Sequence, residues 1–349
     1  MENLLDYSLK EIEKIMLDMG EQKFRASQVF TSLYQGKSFS EMTNISYDLK
    51  NRLTENYVAQ PCTILDKKVS RDGTVKFLFK LSDNNIIESV LMKYKYGYTV
   101  CVSSQVGCRM GCKFCASTLG GLIRNLSAGE IVGQVVQINR FLDGGIGEKR
   151  KITNIVLMGS GEPLDNYNNV TKFLKLISGK DTLNISERNI SLSTCGIVPN
   201  IYKLADDGFK ITLTISLHAP NDKIRRQSMP IANKYAIRQI IDACRYYFGK
   251  TGRRVVFEYV LIKNLNDSKE CAQELRHLMR GLPCHINVIC LNQVTERTLE
   301  GTTREEALHF VESLKKLGLS STLRRTMGED IDGACGQLRR RYLETGNID

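Results

Sequence analysis

Three cysteines in eight residues, Cys108, Cys112 and Cys115 in the run CRMGCKFC, carry the most specific chemistry in this sequence. Spaced C-x3-C-x2-C, they can present three thiolates to one cubane of iron and sulfide. A [4Fe–4S] cluster usually takes four cysteines, so three local ligands leave one iron open to a small chelating molecule. Zinc is the competing reading, but structural zinc normally pairs one C-x2-C with a second some distance on. No second C-x2-C exists here, and the four histidines form no H-x3-H pattern.

Other polar residues stand where chemistry is done. In NIVLMGSGEPLDN, Gly159, Gly161 and Glu162 follow an apolar strand; glycines there let backbone approach a ligand closely, and the bland alternative is a tight βα turn. Ser193 closes NISLST, Ser216-Leu217-His218 closes ITLTISLH, and Asn292 closes INVICLN. Singly, each reads as a strand cap. Near the C-terminus Cys335 lies between Ala334 and Gly336, preceded by Glu329, Asp330 and Asp332. Small neighbours leave its thiol accessible, and the residues alone leave a reactive and a structural role both open. Of the eleven cysteines, Cys62, Cys195, Cys244, Cys271, Cys284 and Cys290 sit in apolar or helical surroundings and read as buried, inert thiols.

These residues need a scaffold. Residues 1–60 read as three short helices (LKEIEKIMLDMG, FRASQVFTSLYQG, ISYDLKNRLTENY), a small N-terminal accessory domain. Residues 61–98 switch to β alternation (TILDKKVS, TVKFLFKLS, IIESVLMKYK), with turn signals at Asp72-Gly73 and Asp83–Asn85. From 99 to 349 strands alternate with amphipathic helices, and Ser127 with Glu130 makes a capping box for the first helix. Repeated strand–helix units imply parallel strands with right-handed crossovers, hence an α/β fold with a partial or full (β/α) barrel. Chemistry in barrels sits at the C-terminal strand ends, where the polar motifs fall.

Composition is ordinary for a globular chain of 349 residues, 42% hydrophobic and 25% charged. No apolar run is long enough to span a membrane, and no signal-peptide pattern opens the chain, so a cytoplasmic location is expected. Net charge is +11, which points to a polyanionic partner. Basic pairs occur at Arg225–Arg226, Arg253–Arg254 and Arg324–Arg325, with a triplet at Arg339–Arg341; singly, each reads as solvated surface.

The motifs CVSSQVGCRMGCKFCAS, GGLIRNLSAGEIVGQV, MGSGEPLDN, LSTCGIVP, TISLHAPND, MPIANKY and DIDGACGQLR together resemble the RlmN/Cfr family of radical SAM RNA methyltransferases, nearly end to end. Pro163 after Glu162 resembles the RlmN branch, which methylates C2 of adenine; the Cfr branch, with Ala there, methylates C8 and is the alternative. The resemblance implies a radical SAM barrel, with Cys108, Cys112 and Cys115 holding a [4Fe–4S] cluster. It implies that Gly161, Glu162, Ser193, Ser216, Leu217, His218 and Asn292 contact S-adenosylmethionine (SAM). Phe114 fills a position where such proteins favour an aromatic ring. Cys335 would carry a methyl group from a first SAM. A radical generated from a second SAM would activate that methyl for addition to the ring. Glu88 would then accept the ring proton while Cys101 resolves the adduct as a Cys101–Cys335 disulfide. The implied partners are 23S rRNA, tRNA and an external reductant such as flavodoxin. Ser160, Cys195 and Cys290 depart from the family's usual residues. A non-catalytic iron–sulfur or zinc RNA-binding protein is the reading from another class.

Overall fold

Ser8, Ser46 and Ser127 each start a helix by accepting a hydrogen bond from an amide three residues on, at Glu11, Leu49 and Glu130. The structure, a computed structural model, describes residues 1–292, 298–331 and 342. The first two serines set α1 (Leu9–Asp18) and α3 (Tyr47–Asn56), with α2 (Phe24–Tyr34) between them. Two short strands, β1 (Glu2–Asn3) and β2 (Tyr57–Val58), pair in parallel at the ends of this helical unit. Its apolar residues Leu4, Leu5, Ile12 and Met16 belong to the same core cluster as Ile155, Leu192 and Phe257 of the sheet. Each such side chain taken from water contributes about 1.5–3 kcal/mol. Polar links reinforce the contact: Arg140 pairs with Glu41 at 2.5 Å and the Gly129 amide donates to Asp6 at 2.7 Å.

Strands β3 (Cys62–Val69), β4 (Val75–Leu81), β5 (Ile86–Tyr94) and β6 (Gly97–Cys101) form an antiparallel run. After β6 the chain makes a small two-stranded ribbon, β7 (Gln105–Gly107) with β8 (Leu122–Asn125), and enters α4 (Ala128–Phe141). Regular alternation follows: β9 (Ile152–Leu157), α5 (Tyr167–Ser178), β10 (Ile190–Thr194), α6 (Val198–Asp206) and β11 (Thr212–Ser216). A short α7 (Asp222–Ser228) and a longer α8 (Ile237–Thr251) then lead to β12 (Val255–Leu261), α9 (Lys269–Leu278), β13 (Cys284–Cys290), α10 (Arg304–Lys316) and β14 (Ser321–Leu323).

β6 pairs in parallel with β9, and β10 to β14 add in order, giving one ten-stranded sheet whose ends are β3 and β14. This is the partial form of the expected (β/α) barrel. The chain beyond β14 crosses from one end of the sheet to the other. There Gly328 donates to Asp72 at 3.0 Å, and Asp330 accepts from the Ser70 hydroxyl at 2.5 Å and the Arg71 amide at 3.1 Å. Residues 328–331 thus clasp the β3–β4 turn. No described helix is long and apolar enough to cross a membrane.

Candidate active site

The cysteine triplet lies on the loop between β7 and β8, closed at its base by the Cys108 amide donating to the Gly121 carbonyl at 2.8 Å. Within the loop, the Thr118 hydroxyl donates to the carbonyls of Cys112 (3.1 Å) and Cys115 (3.0 Å). The Lys113 amide donates to the Ser228 carbonyl at 2.9 Å, which ties the loop to the end of α7. Cys112 is buried in one small apolar cluster with Cys195 and Met229, against which Phe114 and Cys115 pack.

The donor set fits an iron–sulfur group. Burial pushes the Cys108 thiol up to about 12 and the Cys112 thiol higher still, and each thiolate is further opposed by its neighbours in the triplet. Thiolate character there therefore requires strongly cationic centres, which iron supplies. Among the described residues no group of three or more His, Cys, Asp or Glu side chains is placed to hold one metal ion. A single zinc needs its sulfur ligands converging about 2.3 Å from one point.

The turn after β9 packs directly on the chain leaving β6. Gly159 donates to the Val102 carbonyl at 3.1 Å, Ser160 to the Ser103 hydroxyl at 3.0 Å, and Glu162 to the Gln105 side chain at 2.8 Å. Gly161 has φ +110°, and a Cβ on it would lie 2.7 Å from the Gln105 amide nitrogen and the Ser104 hydroxyl. Glycine is needed here to let two backbone segments meet. That close approach is the tight-turn reason for glycine, and it stands beside the ligand-approach reading. The Glu162 carboxylate is buried and accepts from the amides of Leu164 (3.0 Å) and Cys195 (2.8 Å). Burial raises its pKa, and these amide donors oppose the rise.

At the neighbouring strand ends, the hydroxyls of Ser193 and Ser216 meet at 3.3 Å. The Leu217 side chain belongs to the main core, and its carbonyl accepts from Arg225 at 3.1 Å. His218 has φ +54°, uncommon for a residue with a side chain and typical of strained functional positions. Its Nδ1 accepts from the Val260 amide at 3.0 Å, which leaves Nε2 to carry the proton. Burial, aided by Arg225, pushes its pKa down to about 3, so the ring is neutral at physiological pH. Phe114 meets that ring edge-on, centroids 4.9 Å apart.

A cavity of about 260 Å³ opens over this floor, and Cys101, Phe114, Cys115, Cys290, Asn292 and Arg324 are among its walls. Cys101 ends β6 and lies opposite Val90 of β5, another wall residue. Two residues along the same face of β5 is Glu88, buried and 3.2 Å from the Lys76 ammonium. Cys335 and Arg339–Arg341 lie outside the described residues.

Some expectations need correction. Cys290, expected to be inert packing, is half-buried on the cavity wall, and Cys284 is half-buried as well. Arg225, expected at the surface beside Arg226, is fully buried because its helix turns it under the strand ends. Lys76 is a polar residue of this region that the sequence did not single out, and Arg225 was read only as half of a surface basic pair. A lysine inside the apolar run TVKFLFKLS was a signal; nothing local marked the burial of Arg225.

A parallel sheet whose strand ends meet a three-cysteine loop defines a radical SAM protein. The profile of the radical SAM superfamily matches residues 102–275, and that of the ribosomal RNA large subunit methyltransferase N-terminal domain matches residues 2–59. The chain is 52% identical over 346 residues to a protein of Clostridium novyi (strain NT) named "Probable dual-specificity RNA methyltransferase RlmN", covering 98% of this chain and 99% of that one. A protein of the same name from Clostridium tetani (strain Massachusetts / E88) is 50% identical over 349 residues, covering 99% and 98%. The crystal structure of a radical SAM methyltransferase from Sphaerobacter thermophilus superposes with a TM-score of 0.92 at 41% identity, covering 97% of this chain and 99% of that one. The chain belongs to the RlmN family of radical SAM RNA methyltransferases.

Proposed function

We propose that this protein methylates C2 of adenine in 23S rRNA and in tRNA through a methylated Cys335. The observation that carries the reading is Cys101, a thiol on the wall of the cavity that also takes in Cys115 and Asn292. When bound, a [4Fe–4S] cluster and SAM supply reductive cleavage, hydrogen abstraction and the methyl group, with electrons from flavodoxin or a similar reductant. The residues do the rest. Cys108, Cys112 and Cys115 hold the cluster, and the Gly161 turn and Glu162 take the SAM ammonium. Ser193, Ser216, the Leu217 main chain, the Nε2–H of His218 and Asn292 hold its remaining polar groups.

Cys335 is the nucleophile for the first methyl transfer. Once the methyl carbon of Cys335 is bonded to C2, Glu88 removes the adenine ring proton and the surplus electron would return to the cluster. Cys101 then attacks the sulfur of Cys335, the sulfur–carbon bond breaks and the carbon takes up a proton, releasing methylated RNA and leaving a Cys101–Cys335 disulfide. External thiols reduce it for the next turnover. In this reading residues 1–60 form the RNA-gripping accessory unit, 61–98 the extension carrying Glu88, and 99–349 the catalytic barrel. The two exposed arginines that line the cavity, Arg324 and Arg325, and the excess positive charge suit an RNA backbone.

The test is nucleoside mass spectrometry of rRNA and tRNA incubated with anaerobically reconstituted enzyme and SAM. Appearance of 2-methyladenosine is expected. Appearance of 8-methyladenosine instead would overturn the C2 assignment in favour of the Cfr-like reaction.

A further inference from the structure

Arg225 is the largest fully buried side chain among the described residues. It leaves α7, whose last residue Ser228 accepts from Lys113 of the cysteine loop. Its Nε donates to the Leu217 carbonyl at 3.1 Å, and its Nη2 donates to the carbonyls of Cys195 (2.6 Å) and Ser216 (3.2 Å). Nη1 is buried with no hydrogen-bond partner. No ion pair among the described residues includes Arg225.

Burying a guanidinium on carbonyl oxygens alone costs several kcal/mol, because an arginine cannot shed its proton. The acid nearest in sequence, Asp222, has an oxygen committed to the Ile237 amide at 2.9 Å. Glu162 lies on the other side of Cys195, whose amide donates to that carboxylate and whose carbonyl accepts from Arg225. Cys112 and Cys195 share one buried cluster. Cys112 thereby brings the thiolate-bound group of the cysteine loop against the residue whose carbonyl accepts from Arg225.

We propose that Arg225 is a built-in countercharge for the cluster, a positioning residue that favours its one-electron reduction. This rests on the functional reading above. Each reduction adds one electron from an external one-electron donor to a group already anionic through its thiolates. A fixed cation beneath the loop stabilises the more negative state. No bond forms or breaks at Arg225.

The experiment is an EPR-monitored redox titration of reconstituted wild type, Arg225→Met and Arg225→Lys, with iron and sulfide counted in each. At the potential where wild type is half reduced, Arg225→Met is expected to show an about tenfold lower ratio of reduced to oxidised cluster, equal to ~59 mV for a one-electron couple. Arg225→Lys, which keeps the charge, is expected to stay within about twofold of wild type. If Arg225→Met does not fold, Arg225→Gln is read in its place. A neutral variant with full iron content and wild-type potential overturns the inference, as does a lysine variant shifted as far as the neutral one. Wild type that assembles no [4Fe–4S] cluster overturns the functional reading itself, so the two failures are distinguishable.

Discussion

The Lys76 ammonium lies 3.2 Å from the Glu88 carboxylate, with both side chains out of water on neighbouring antiparallel strands. Removing one partner of such a pair leaves a buried charge uncompensated and costs about 3–5 kcal/mol. Lys76→Met is expected to destabilise the apo protein by that amount in urea unfolding. The double variant Lys76→Met/Glu88→Gln is expected to recover at least about 1 kcal/mol relative to the sum of the single changes. Additivity within about 0.5 kcal/mol would mean the pair is not coupled. If Glu88 also takes the ring proton, Glu88→Gln slows RNA methylation by about a hundredfold or more and leaves methylation of Cys335 intact.

Gly161 sets how closely the turn after β9 approaches Gln105. A Cβ there would collide with backbone at 2.7 Å in a conformation that side chains rarely adopt. Gly161→Ala is expected to cost at least about 2 kcal/mol and to reduce the iron bound after reconstitution. A variant with wild-type stability and iron content would show that the turn adjusts without consequence.

The methyl-carrying and resolving thiols of the proposed cycle separate its steps. Cys335→Ala is expected to abolish RNA methylation. Cys101→Ala is expected to form the adduct and stall, so that protein migrates covalently attached to RNA on a denaturing gel. Absence of that crosslink would remove Cys101 from its proposed role.

The clasp at 328–331 responds to acid. Against burial, which raises its pKa, the amides of Gly328 and Thr74 pull the Asp72 carboxyl down to about 2. The Ser70 hydroxyl and the Arg71 amide lower that of Asp330. Both carboxylates titrate lower when folded than unfolded. The Asp72 contribution is therefore complete above the ordinary carboxylate value of 3.8 and is lost as pH falls through about 2, and that of Asp330 is lost in the same direction. Hydrogen-exchange protection of the Gly328 and Thr74 amides is expected to fall over that interval, and Asp72→Ala is expected to lose it already at neutral pH. Protection independent of pH would mean that other contacts hold the segment.

Strand–helix alternation was legible because the parallel strands are apolar runs and the helices announce their starts, as Ser127 and Glu130 do at α4. α7 went unread: seven residues hold one large apolar side chain, Ile224, too little to show a period. The cysteine loop was legible from spacing alone. The neighbours of Gly161 and the burial of Arg225 were not, because both depend on which strand ends the sheet brings together. Lys76 sits between Val75 and Phe77, and nothing local says that Glu88 will face it.

Cys335 is four residues beyond Ile331, the last residue of the clasp. At 3.3–3.6 Å per residue, a chain held there can carry the thiol no farther than about 14 Å. Held only at Leu323, where β14 ends, the same thiol would range over about 42 Å. The accessible volume shrinks about 27-fold, and the local concentration of the thiol rises from a few millimolar to on the order of 0.1 M. In the proposed cycle, three hydrogen bonds at a hairpin turn thus act as a short leash on the methyl-carrying thiol.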